Sequence, residues 1–226
     1  MPFFRPIDPN AMKLLIFDLD GTVIDSREDL VQSVNAMLRH FQHPALPSEV
    51  VASYVGDGAP MLVRRALGDP TDEAFFKQAL EFFLAYYREH KLDNTHVYDG
   101  IPEALQQITA NGAGRKLAVL SNKPVNPSRA IVEALGLAPY FVSIYGGNSF
   151  DTKKPDPLGV KTILRETGLP PERAMIVGDS SIDVLTGRNA GIATCGVTYG
   201  FAPHTLCEVP PDVTVDSPRE LGELFT

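Results

Sequence analysis

A chain of 226 residues that is 44% hydrophobic and 21% charged has ordinary globular composition and enough apolar residues for a sizeable core, which excludes wholesale disorder. Its net charge of −8 and pI near 5.1 argue against nucleic acid as the main partner, because phosphate backbones demand clustered lysine and arginine. The same balance leaves room for a small phosphorylated ligand, which needs only one local cation or metal. Cys195 and Cys207 have no metal-ligand spacing and no histidine beside them, as fits a reducing compartment. The opening MPFFRPIDPN carries a Phe-Phe pair and three prolines rather than a signal h-region. No apolar run approaches the ~20 residues of a membrane span, so the expectation is a cytoplasmic protein without a membrane partner.

In chain order, KLLIF over 13–17 predicts a strand apolar on both faces, as in a buried parallel sheet. The segment 27–94 then carries no strand pattern. Leu30, Val31, Val34, Met37, Leu38 and Phe41 form an amphipathic helical stripe. A shorter helix over 59–67 follows the turn Gly56-Asp57-Gly58, and Phe75, Phe76, Leu80, Phe83, Leu84 and Tyr87 make a wider stripe. Beyond them, apolar runs over 116–120, 141–145, 174–177 and 192–197 alternate with helical patterns over 102–111, 128–135, 158–167 and 182–190. That alternation implies right-handed βαβ units and an α/β fold with a doubly wound parallel sheet. The expected division is a core of residues 1–26 and 95–226, with a helical cap of 27–94 inserted after the first strand.

Four stretches follow predicted strands, where ligands gather in open α/β sheets. In DLDGT, Asp18 and Asp20 are two apart and face one side of an extended chain. Two carboxylates converging on a point call for a hard cation, and Mg²⁺ is commonly held by one or two carboxylates with waters and a phosphate. A calcium loop would need further acids at set spacing, which are absent. In VLSNK, Ser121 and Asn122 offer a hydroxyl and an amide to phosphate oxygens, although such pairs are also ordinary turn residues. In KKPDP, Lys154 precedes a proline that should hold the chain extended and fix its direction. There it would offset the repulsion of paired acids and neutralise an incoming phosphate. In IVGDSSIDV, Asp179 supplies a third carboxylate at the sheet edge, while Asp183 suits a supporting acid or a helix N-terminal charge.

The ordered set DLDGT, SNK, KKPDP and GDSSID resembles the haloacid dehalogenase-like phosphohydrolases over nearly the whole chain. VGDGAPMLVRRAL, the spaced Tyr87, His90, Thr95 and Tyr98, IYGGN and VTYGF are similar to the bacterial phosphoglycolate phosphatase branch of that superfamily. Asn148 and Asp99 stand where that branch usually has Asp and Pro. The resemblance implies a Rossmann-like core with a helical cap and Asp18 as a nucleophile forming an aspartyl-phosphate. It implies Asp20 as general acid and then base, Ser121 and Lys154 on the phosphate, and Mg²⁺ on Asp18, the Asp20 carbonyl and Asp179. Gly56 and Arg65 are candidate cap contacts to substrate, with an exposed basic face the equal alternative for Arg65. The substrate implied is a small phosphorylated metabolite, 2-phosphoglycolate above others, handled by a monomer or homodimer.

Two other readings compete. A sugar phosphomutase, phosphonate hydrolase or pyrophosphatase of the same superfamily would share the acids. The phosphonate enzyme needs a cap lysine as an imine former, and 27–94 holds only Lys77 and Lys91. A phosphorylated receiver domain also uses an acidic Mg²⁺ pocket, a hydroxyl and a lysine, but would be about half this length and lack the insertion.

Overall fold

The computed structural model describes residues 7–110 and 114–225. Strand β1 (Leu14–Phe17) runs through the centre, and the chain then forms β2 (Ile24–Asp25) before four helices: α1 (Arg27–His40), α2 (Ser48–Ser53), α3 (Ala59–Ala66) and α4 (Glu73–His90). It returns through β3 (His96–Val97), antiparallel to β2. Then come α5 (Ile101–Ala110), β4 (Lys116–Leu120), α6 (Val125–Ala134), β5 (Phe141–Tyr145), α7 (Leu158–Thr167), β6 (Ala174–Gly178), α8 (Ser181–Ala190), β7 (Ala193–Val197), β8 (Val213–Val215) and α9 (Pro218–Glu223).

The six-stranded sheet has the order β5-β4-β1-β6-β7-β8 and every pairing in it is parallel. Alternation along β1 supplies both faces. Leu15 and Phe17 join a core with α5, α6 and α9, while Leu14 and Ile16 join one with α7 and α8. Because helices cover both sides, β1 is fully buried and reads as an unbroken apolar run. Its two neighbours, β4 and β6, are reached in opposite directions, so a switch point lies at the carboxyl end of β1.

The four inserted helices close their own apolar core around Val34, Met37, Val51, Leu62, Phe83 and Tyr87, which makes them a cap domain. Two devices tie its ends together. The β2–β3 ribbon joins the exits, and buried Asp29 in the first turn of α1 accepts hydrogen bonds from the backbone N–H groups of Asn94 and Thr95. The Asn94 amide and the Thr95 hydroxyl also donate to it.

Differences from expectation lie at boundaries and in short elements. Helix α6 begins three residues before the expected 128, since Pro127 falls in its first turn, where a missing N–H costs nothing. Asn111, expected to end α5, lies outside the described residues, as does the stretch 1–6. The ribbon, α2, β8 and α9 carried no expectation; each is six residues or fewer, too short for periodicity to stand out. Lys154 does not sit in extended chain. Asp156 N–H donates to the Lys153 carbonyl at 2.9 Å, closing a turn in which the Lys154–Pro155 bond is cis. No helix among the described residues is long and apolar enough to cross a membrane.

Candidate active site

Asp18 follows β1 directly and is anchored by its N–H to the Val177 carbonyl at 2.9 Å. The parallel register therefore puts it beside Asp179, which follows β6. Oxygens of Asp18, Asp179 and Asp183 all lie within 4.8 Å of one another, and all three residues are buried. Lys154 reaches into this cluster, 2.9 Å from Asp18 Oδ1 and 2.6 Å from Asp183 Oδ1. Gly21 and Gly200 make room for it: a Cβ on either would collide with the Asp179 side chain, and Gly21 has φ +79°.

One buried lysine does not balance three buried acids. Burial pushes Asp18 up to about 6; Lys154 pulls the other way and Asp183 adds to the rise. Burial, then Asp183 and Asp18, push Asp179 up to about 7 despite the N–H groups of Phe201 and Ala202 at 2.6 and 3.1 Å. For Lys154, burial opposes the charge, but Asp18 and Asp183 outweigh it and hold the ammonium well above its ordinary range. The lysine's approach leaves Asp18 Oδ1 in an ion pair without an aligned hydrogen-bond donor. Excess negative charge, hard oxygen donors and an under-satisfied carboxylate oxygen fit a divalent cation of the Mg²⁺ kind.

Asp20 stands apart from that cluster. Its carboxylate accepts from Lys123 Nζ at 2.8 and 3.1 Å and from Ser26 Oγ at 2.5 Å. The Lys123 ammonium lies 4.7 Å from the centre of the Tyr87 ring on α4. Sequence reasoning passed over Lys123, although the i, i+2 rule that paired Asp18 with Asp20 also pairs it with Ser121. Ser26 carried no comparable signal, and Tyr87 was marked only by its helical stripe and by the resemblance; the fold brings its ring to Lys123.

Asp18, Asp20, Ser121, Asn122, Lys123 and Asp179 line one cavity of about 690 Å³ between core and cap. Gly56 lines it from the cap side. Asn122, expected as a donor to phosphate, has both amide hydrogens directed elsewhere: Nδ2 donates to the Gly56 and Lys154 carbonyls at 2.9 and 3.0 Å. Arg65 does not line the cavity; it pairs with Asp57 at 2.5 Å and donates to the Tyr54 carbonyl at 3.1 Å. Asp183 lies beneath the cavity, accepting from Ser180 N and Oγ as well as Lys154. Asn148 Oδ1 accepts from the Val125 N–H, at the start of α6.

Acids and lysine at the switch point of a doubly wound sheet, beneath a helical cap, define a hydrolase site of recognisable type. Residues 15–197 match the family model of the haloacid dehalogenase-like hydrolases, and the chain belongs to that family. It is 36% identical over 97% of its length to phosphoglycolate phosphatase 1 of Pseudomonas aeruginosa, covering 81% of that protein. It is 37% identical to a phosphoglycolate phosphatase of Chromobacterium violaceum, with 95% and 96% of the two chains covered. A crystal structure of a predicted phosphoglycolate phosphatase from Haemophilus somnus superposes with a TM-score of 0.89 at 30% identity, over 96% of this chain and 99% of that one. Within the family, then, the chain groups with phosphatases.

Proposed function

We propose that this protein is a Mg²⁺-dependent phosphomonoesterase that works through an aspartyl-phosphate on Asp18, with 2-phosphoglycolate as its substrate. The observation that carries the reaction is Asp18 itself: a buried carboxylate paired with Lys154, under-satisfied at Oδ1, and facing a cavity that Asp20 shares. Asp18 attacks the phosphorus of the ester, and the bond to the leaving oxygen breaks as Asp20 delivers a proton to it. Asp20 then takes a proton from the water that attacks the phosphoenzyme, which frees phosphate and restores Asp18. Ser121 and Lys154 hold the phosphoryl oxygens, and Asp183 holds Lys154. Asp18, Asp179 and the Asp20 carbonyl would hold the cation, which offsets charge on the acids and on the transferring group.

The substrate reading rests on the names of the relatives and on charge in the cavity wall. Lys123, Arg88 and Lys91 line it and give a second anionic group, such as a carboxylate, a counter-charge. The division of labour follows: core residues 1–26 and 95–226 carry the chemistry and cap residues 27–94 shape the space above it. The two free cysteines support a reducing, cytoplasmic setting. Phosphate release should require Mg²⁺ and fall at least about 10⁴-fold in Asp18→Asn; robust turnover by that variant removes the nucleophile assignment. A panel of phosphorylated metabolites should place 2-phosphoglycolate near the top in kcat/KM. A low rank there overturns the substrate and leaves the reaction class standing.

A further inference from the structure

Asn122 stands where three parts of the molecule meet. It lies two residues past the end of β4 and is 5% exposed. Its Nδ2 reaches the Gly56 carbonyl in the cap loop and the Lys154 carbonyl in the core loop at 2.9 and 3.0 Å. Both partners are carbonyl oxygens, which only accept, so the amide orientation is fixed by chemistry. The lysine whose backbone it holds carries the ammonium 2.9 Å from Asp18. One side chain thus joins the cap loop to the backbone of the residue that faces the nucleophile.

Independent contacts seat the same cap loop. Lys153 Nζ donates to the Asp57 carbonyl, and Arg65 braces Asp57 from within the cap. Gly58, with φ +85°, lies so close that a Cβ there would sit 2.8 Å from the Asn122 carbonyl oxygen. Backbone meets backbone at this point, so the amide of Asn122 has its two acceptors only while the loop is seated.

We propose that Asn122 is a positioning residue that couples the seating of cap loop 54–58 to the placement of Lys154 beside Asp18. The coupling runs through a shared donor: displacing the loop removes one acceptor and frees the amide that pins the Lys154 carbonyl. Occupancy of the phosphate site and closure of the loop then favour each other, as two ligands of one element must. This rests on the assignment of Asp18 and Lys154 as the nucleophile and phosphate-binding lysine.

The test is amide hydrogen exchange on the full-length chain with Mg²⁺, with and without saturating inorganic phosphate. In the native protein phosphate should slow exchange in segments 54–58 and 152–156 together. In Asn122→Ala the loop should exchange about tenfold faster, the usual scale for losing one buried hydrogen bond. Phosphate should then protect 152–156 without protecting 54–58. Isosteric Asn122→Asp removes the donor while keeping the volume, and should uncouple the segments in the same way if the alanine variant folds poorly. Equal protection of both segments by phosphate in a folded variant overturns the proposal. Exchange reads no turnover, so a failure of the nucleophile assignment would show separately, in Asp18→Asn.

Discussion

Asp18 and Asp179 sit just beyond strand ends, side by side through the register of β1 and β6, and Asp183 sits in the first turn of α8, each against a fixed partner. The cap wall of the same cavity is different material: Leu30, Leu62, Phe83 and Leu84, with Arg88 in the last turn of α4 and Lys91 just past it. A parallel sheet places side chains at its edge to a fraction of an ångström, because every residue is pinned by ladder hydrogen bonds. Helices packed through apolar contacts can shift as a body. The core therefore suits charge chemistry that tolerates no misplacement, and the cap suits selection by shape and a few charges.

Four changes would sharpen or break that contrast. Lys154→Met strikes the core edge hardest, since it leaves Asp18 and Asp183 facing each other without their cation. Turnover should fall about 10³-fold and urea unfolding should show a loss of about 3–5 kcal/mol, the scale for breaking a buried ion pair. A variant that keeps native rates would mean the acids are balanced by something else.

Asp29→Ala tests the joint between the regions. Four donors at 94 and 95 would lose their buried acceptor, at a cost of about 3 kcal/mol. Midpoint shifts in denaturant measure that loss, and an unchanged midpoint would show that the β2–β3 ribbon holds the cap alone.

The third concerns pH and metal. Asp18 and Asp179 are raised to about 6 and 7 in the metal-free fold. Stability from a raised carboxylate is fully present below its ordinary value near 4 and is lost as pH climbs through the raised one. Metal-free protein should therefore lose melting temperature between pH 5 and pH 8, and Mg²⁺, which favours the ionised acids, should restore it at pH 8. At a concentration 100 times its dissociation constant Mg²⁺ adds about 2.7 kcal/mol; equal stabilisation at pH 5 and pH 8 would contradict the acid-cluster account. The smallest effect belongs to Arg65→Ala. Its guanidinium braces Asp57 and does not reach the cavity, so KM should change less than about threefold and stability by about 1 kcal/mol or less. A large rise in KM would return Arg65 to direct substrate contact.

Much of this was legible along the chain. KLLIF ending in DLDGT announced a doubly covered strand delivering two acids to a sheet edge, because burial on both faces forces an unbroken apolar run. The helical stripes of 27–94 announced an insertion that cannot join a sheet. Residue types after strand ends likewise marked Ser121, Lys154 and Asp179 as neighbours in prospect. Tertiary structure alone decided their partners. It sent the Asp20 carboxylate to Lys123 and Ser26 and drew Asp183 in beside Asp18 and Asp179. It also turned the amide of Asn122 toward two carbonyls and Arg65 away from the cavity. The reason is physical: periodicity and spacing fix the side of the backbone a residue faces, but hydrogen bonds between residues 29 to 103 positions apart depend on how sheet and cap come together in space.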